Sequence, residues 1–178
     1  MILYLLGENM KFEFRQLSLK NGIDEYNMLQ DIGGNEYGFT NEVNGMSYEE
    51  YKEWLKREND FSQAKNLPEN WIPQTTYFLY AGGNPVGLAR IRHCSSDVLE
   101  NQGVGNFGYG IAKAHRGKGY GTVLLSFILE KCKAFGYAKI KSFVHVDNVA
   151  SNKIFLKNGS SLSGSFNGIK NIYETIIG

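Results

Sequence analysis

The sequence predicts a single α/β domain with a central mixed, mostly antiparallel sheet of about seven strands flanked by helices. Three observations carry this. Short segments alternating apolar and polar residues recur between glycine- and asparagine-rich breaks. One later segment sets Tyr120, Val123, Leu124, Phe127, Ile128, Cys132 and Phe135 at the spacing of a single helical face. The signals run β, helices, β, β, β, α, β, α, β, β, with no internal repeat and no compositional break that would start a second domain.

In chain order, Lys11 to Ser18 alternates as a half-buried strand, and Asn21 or Asp24 caps a short helix through Leu29. Residues 32–38 are a loop by composition. Ser47 followed by Glu50 is a capping box that opens a helix through Tyr51, Trp54 and Leu55. Residues 66–70 break the chain before a strand at Thr75 to Tyr80. Gly82, Gly83 and Pro85 then mark a hairpin turn into a third strand, Val86 to His93. Residues 95–105 form a long polar connection to a central strand, Asn106 to Ile111. The main helix, Thr122 to Phe135, stops at Gly136. Lys139 to His145 is a fifth strand, and a helix from Asn148 to Asn158 ends at Gly159. Residues 161–166 and 170–177 make a final hairpin around Asn167 and Gly168.

A chain of 178 residues is long enough to bury one full core. A net charge of +1 with interspersed signs gives no basic face for nucleic acid. No apolar run approaches the roughly 20 residues needed to span a bilayer, so no membrane partner is expected. Residues 1–9 read as an N-terminal extension and residues 10–178 as the domain, because Met10 opens directly into the first strand. Cys94 and Cys132 form no paired motif, which points to a reducing, cytoplasmic setting. Cys132 lies on the apolar helical stripe. His93, His115 and His145 lack metal-ligand spacing, so no metal is expected.

The most informative segment is Arg116-Gly117-Lys118-Gly119-Tyr120-Gly121, between the glycine-laced central strand and the main helix. The first amides of a helix have no intrahelical partner, and the helix dipole adds partial positive charge there. Phosphate is the natural guest of such a turn. Glycine permits both the bend and the close approach. Gly103-x-Gly105-x-x-Gly108 formally matches a dinucleotide fingerprint, but it leads into a strand instead of opening a helix. Lys118 is followed by Gly119, so the P-loop pattern is absent.

Arg116-x-x-Gly119-x-Gly121 resembles the acetyl-coenzyme A signature of the GNAT N-acetyltransferase superfamily. Residues 147–159, with Asn148, Ala150 and Ser151 early and Lys157-Asn158-Gly159 at the end, resemble the family's last helix motif. The resemblance covers about Val86 to Gly159. It implies acetyl-CoA as cosubstrate and transfer of acetyl to a primary amine of a small molecule or peptide. It implies a coenzyme site made by Ile111, Ala112, Arg116, Gly117, Lys118, Gly119, Tyr120, Gly121, Asn148, Ser151 and Phe155. Backbone amides near Gly110 to Ala112 would meet the thioester carbonyl, and Asn148 would bond the pantetheine arm between the central and fifth strands. Loops between Gly33 and Pro73 would build the acceptor pocket, and a homodimer is compatible with the family.

Two positions depart from the family pattern. Many members carry a tyrosine as general acid where this chain has Phe155, and a glutamate near the start of the central strand, where Gly105 and Asn106 stand. Tyr109 and Tyr173 are the candidate catalytic substitutes; Asp97 and Glu100 are candidate bases or amine anchors, and His115 a candidate phosphate contact. A non-catalytic acyl-CoA-binding protein or sensor is the alternative that Phe155 would permit. Trp54, Trp71, Tyr37, Phe39, Tyr48, Tyr51 and Tyr77 are divided between core and acceptor pocket in a way the sequence does not resolve.

Overall fold

A computed structural model describes residues 2–4 and 10–177; the rest of the expected extension, residues 1 and 5–9, lies outside the described residues. Strand β1 (Ile2–Tyr4) pairs antiparallel with β2 (Lys11–Gln16). Helix α1 (Ile23–Gln30) starts after Gly22, whose amide donates to the Glu25 carboxylate at 2.8 Å. Neither Asn21 nor Asp24 is therefore the cap: the Asn21 side chain instead donates to Glu25. Residues 33–41 are not a plain loop. They fold into a small hairpin, β3 (Asn35–Glu36) and β4 (Phe39–Thr40), around Tyr37 and Gly38 at φ 50° and 83°. Two successive positive φ values are what a tight two-residue hairpin demands. Helix α2 (Tyr48–Ser62) carries the expected cap, with the Ser47 amide donating to Glu50 at 2.7 Å.

Strands β5 (Gln74–Ala81) and β6 (Asn84–Arg92) form the predicted hairpin, turning through Gly82 and Gly83 at φ 57° and 86°. The connection after β6 contains one short helix, α3 (Asp97–Glu100), capped by Ser96. Then come β7 (Phe107–Ile111), a 3-10 turn (Lys113–His115), α4 (Tyr120–Ala134), β8 (Lys139–His145), α5 (Val149–Lys157), β9 (Ser161–Phe166) and β10 (Lys170–Ile176). Both α4 and α5 end in a glycine with left-handed backbone, Gly136 and Gly159. In each case the next amide reaches back to the last turn: Tyr137 to Cys132 and Ser160 to Phe155, both at 3.1 Å.

Five strands form one sheet in the order β1-β2-β5-β6-β7, and three form another in the order β8-β10-β9. Among the described residues every ladder is antiparallel. The strand expected at the centre, β7, is an edge strand. The mixed pairing expected of a continuous sheet would fall between β7 and β8, which the crossover helix α4 joins, and no ladder forms there. The two sheets meet at the base of β7, where Asn106 Oδ1 accepts from the Lys141 amide at 3.3 Å. Beyond that point they diverge as a wedge.

Two cores lie on opposite faces of the five-stranded sheet. Tyr77, Leu79, Ala89 and Ile91 pack on one face against Val123, Leu124, Phe127 and Ile128 of α4. Phe78, Tyr80 and Leu88 pack on the other against Met28 and Leu29 of α1 and Tyr51, Trp54 and Leu55 of α2. The alternation of β5 and β6 residues between the two faces makes the sheet a rigid floor for the site.

Candidate active site

The turn between β7 and α4 has the form expected of an anion site. Gly117 and Gly119 have φ 76° and 81°, and a Cβ on either would meet nothing within 4 Å. Among the described residues, no protein acceptor takes the amide hydrogens of residues 117 to 121. Five amides at the start of a fifteen-residue helix are thus unpaired and open. Gly121 has a different reason for its residue type: a Cβ there would lie 2.6 Å from Ile154 Cδ1, so glycine lets α4 approach α5.

The side chains of the turn point elsewhere. Arg116 Nε donates to the Ile111 carbonyl at 3.0 Å, and its Nη2 pairs with Glu36 of the hairpin. Arg116 therefore ties the turn to the end of β7 and to the loop above the wedge. Lys118 Nζ folds back onto the Ala114 carbonyl at 3.0 Å. Tyr120 packs edge-on against Phe12 and donates to Met10 Sδ at 3.3 Å. His115 lies beside the Tyr120 ring at 6.2 Å. Asp31 of the α1 terminus accepts from the Ala114 amide at 2.8 Å, fixing the 3-10 turn.

Register decides which β7 amides face the wedge. The Ala112 amide donates to Val86 at 3.1 Å, and the Asn106 carbonyl accepts from Arg92 at 2.9 Å. With Gly110 opposite Leu88 and Gly108 opposite Arg90, the even-numbered residues of β7 exchange hydrogen bonds with β6. The odd-numbered amides, Tyr109 and Ile111, point to the open edge. This corrects the expectation for Ala112, and for Gly110 with it. Those amides are taken up by the ladder, and Ile111 alone of the three is left facing the wedge.

Inside the wedge the Tyr109 hydroxyl lies 2.7 Å from Ser151 Oγ on the first turn of α5. Burial pushes the Tyr109 phenol up to about 12, opposed by its bond to Ser151. Asn148 caps α5, its Oδ1 accepting from the Ser151 amide at 3.1 Å, which leaves its side-chain amide hydrogens toward the cleft. Phe155 is 2% exposed and stacks between Phe107 at 6.0 Å and Tyr173 at 5.2 Å. It supplies an apolar wall and no proton. Tyr109, Asn148, Ser151 and Phe155 share one cleft.

Tyr173 is not brought there. It is 3% exposed, and its hydroxyl donates to Asn152 Oδ1 at 2.9 Å, beneath α5. Glu100 pairs with Lys141 at 2.8 Å, and neither it nor Asp97 lines the cleft. Cys132 is buried in the core, where burial raises its thiol pKa to about 12.

The cleft has a volume of about 260 Å³ and continues from the wedge to the hairpin face. Its wall there includes Glu36 and Phe39 of the hairpin with Gln74, Arg90 and Arg92 of the sheet. Phe39 covers Gly108 and Gly110, where added Cβ atoms would lie 3.0 Å from its ring. Tyr37 reaches across to His145 at 6.3 Å. Tyr37 and Phe39 belong to the aromatics that the sequence leaves divided between core and acceptor pocket; Glu36, Gln74, Arg90 and Arg92 were not anticipated. Arg90 and Arg92, two apart in a strand, share one face, and that was the available signal.

A model described as the acetyltransferase (GNAT) family matches residues 43–159. Among solved structures, the GNAT domain of S. lividans PAT is similar with TM-score 0.64 and 14% identity, over 93% of this chain and 90% of that one. An acetyltransferase of Salmonella typhimurium that modifies the N-terminal serine of a 50S ribosomal subunit protein has TM-score 0.62 and 16% identity, over 94% and 95%. Campylobacter jejuni N-acetyltransferase PseH, in complex with acetyl coenzyme A, has TM-score 0.60 and 10% identity, over 93% and 98%. These likenesses establish the shared fold. No curated protein matches the sequence significantly. Among the described residues no helix is long and apolar enough to cross a membrane. The family model spans more than half of the chain, across the anion turn and the wedge alike, and the chain belongs to the GNAT family of acetyl-CoA-dependent N-acetyltransferases.

Proposed function

We propose that the amides of residues 117 to 121 hold the pyrophosphate of acetyl-CoA, and that the wedge between β7 and β8 takes its pantetheine arm. The fit is supported by five amides without acceptors and by open space over Gly117 and Gly119. The coenzyme supplies an acetyl thioester; the chain supplies position and hydrogen bonds, and the proton lost by the amine as the new C–N bond forms ends on the departing thiolate. Asn148 donates to the pantetheine through its side-chain amide while its oxygen caps α5. The Ile111 amide, facing the open edge of β7, donates to the thioester oxygen as charge develops there. A fixed donor of this kind contributes about 3–4 kcal/mol to the transition state.

Tyr109 is the residue we assign to the leaving sulfur. Its phenol keeps its proton near neutral pH because burial disfavours the phenolate. A group with so high a pKa is a poor bulk acid but a stable hydrogen-bond donor to a thiolate. Ser151, 2.7 Å away, orients the hydroxyl and connects it to the α5 terminus. Tyr173 serves α5 through Asn152 and takes no part in transfer. The acceptor, a primary amine of a small molecule or peptide, enters beneath the β3–β4 hairpin.

The observation that carries this reading is the convergence of Tyr109, Ser151 and Asn148 in the cleft beyond the unpaired α4 amides. A thiol-detection assay for coenzyme A release with a panel of amines tests it. Amine-dependent release that Tyr109→Phe slows supports the assignment; release that the variant leaves unchanged removes Tyr109 from the mechanism.

A further inference from the structure

We propose that the acceptor carries an anionic group, a carboxylate or phosphate, set apart from its amine and held by Arg92 and Lys170 with help from Arg90 and Gln74. This rests on the acetyltransferase reading and names the acceptor class of the same site.

The acceptor end of the cleft has a cationic lining that the protein itself does not neutralise. Arg92 Nη1 donates to the Gly105 carbonyl at 2.7 Å, and among the described residues no carboxylate pairs with it. Lys170 Nζ donates to the Gly103 carbonyl at 2.9 Å and has no acidic partner either. Arg90 is only 16% exposed in its side chain; it donates to the Thr40 carbonyl and stands 3.9 Å from Glu42, which also pairs with Arg57. Among the described residues the one acid lining the cleft is Glu36, and Arg116 holds it.

Gln74 supplies the second, independent observation. It is 8% exposed, lines the cleft, and makes no hydrogen bond among the described residues. Its amide atoms are not sealed from solvent, so they are free to bond a ligand in the cleft. Gln74 lies opposite Arg92 in the β5–β6 ladder, so the unpaired amide and the unneutralised guanidinium are neighbours. Burial and the adjacent Arg90 charge both lower the Arg92 pKa, the electrostatic signature of cations held together without a counter-ion. A ligand anion relieves that strain on Arg92, and a guanidinium binds carboxylate and phosphate alike through paired donors.

Register also sets the span. Arg90 is opposite Gly108, three residues before Ile111, which places the cations roughly 10 Å along β7 from the amide assigned to the thioester oxygen. An α-amino acid is too short to reach both points, whereas an amine separated from its acid by several bonds fits.

The test compares 6-aminohexanoate, 6-aminohexyl phosphate, hexylamine and 1,6-diaminohexane as acceptors at saturating acetyl-CoA, with native protein, Arg92→Gln and Lys170→Gln. One charged hydrogen-bonded contact corresponds to roughly ten- to hundredfold. The expected result is a kcat/KM advantage of that order for an anionic acceptor over hexylamine and the diamine, collapsing toward one in either variant that melts as native. Whichever of the carboxylate and the phosphate is faster identifies the anion. Equal or better use of the diamine, or a preference that survives both substitutions, overturns the proposal. If no amine releases coenzyme A, the transfer reading fails separately. Calorimetric binding of 6-acetamidohexanoate or 6-acetamidohexyl phosphate that Arg92→Gln abolishes then still supports the anion site, and binding of neither overturns it.

Discussion

Gly105 lies directly against Lys141: a Cβ on Gly105 would stand 2.7 Å from the Lys141 carbonyl oxygen and 3.2 Å from Ser142 Cα. The obstructing atoms are backbone, so they cannot rotate aside. This contact is the pivot of the wedge. It brings the base of β7 against β8 before the strands separate toward Tyr109 and His145.

Gly105→Ala should therefore destabilise the protein by about 1–3 kcal/mol, the usual penalty of overpacking. Equilibrium urea unfolding measures this. Unlike a change in either core, it should also weaken acetyl-CoA binding, because it shifts the mouth of the wedge. Unchanged affinity in a destabilised variant would show that the pivot does not set the width of the cleft.

Tyr109→Phe should reduce kcat by about a hundredfold, the low end of general acid–base contributions, with acetyl-CoA affinity preserved. The pH profile gives a second check. With the phenol pushed up to about 12, turnover should climb with pH as the acceptor amine loses its proton, with no mildly alkaline decline from Tyr109. The same shift has a stability consequence. An unfolded tyrosine titrates near about 10, so the stabilisation from this group is whole below that pH. It falls as pH rises toward about 12, where the folded form also ionises.

Tyr173→Phe separates the two tyrosines. Losing the hydroxyl donated to Asn152 should cost about 1 kcal/mol of stability, a typical net hydrogen bond. Thermal melting should detect it, and kcat should stay at the native value.

Arg116→Lys retains the charge and loses the fork that reaches both the Ile111 carbonyl and Glu36. We expect KM for acetyl-CoA to rise roughly tenfold, equivalent to one charge-assisted hydrogen bond, without loss of the fold. A native KM would mean that the turn holds its shape without this brace.

Much of this arrangement was legible in the sequence because it depends on local rules. The Ser47–Glu50 cap, the Gly82–Gly83 turn, the helical stripe of α4 and the glycine stops at Gly136 and Gly159 each follow from nearest-neighbour chemistry. The open glycine turn before α4 was legible for the same reason. What was hidden depended on register and on distant pairing. That Ala112 donates to Val86 while Ile111 faces outward is a parity fixed by the β6–β7 ladder. The two separate sheets are joined by a contact between residues far apart in the chain, Asn106 and Lys141. The β3–β4 hairpin was hidden because Tyr37, a residue type that rarely adopts positive φ, occupies its turn. Tyr173 looked like a second candidate acid because its partner Asn152 is not visible from spacing alone.

The central claim is that the turn at residues 117 to 121 holds acetyl-CoA. Calorimetric titration with acetyl-CoA, run on the native protein beside Gly119→Glu, tests it most directly. The variant sets a carboxylate and a Cβ on a left-handed backbone position at φ 81°, in the space over the unpaired amides. The account predicts binding by the native chain and a loss of at least about a hundredfold in a variant that remains folded, since repulsion and blocked amides both oppose the pyrophosphate. Equal affinity in the two proteins would contradict it.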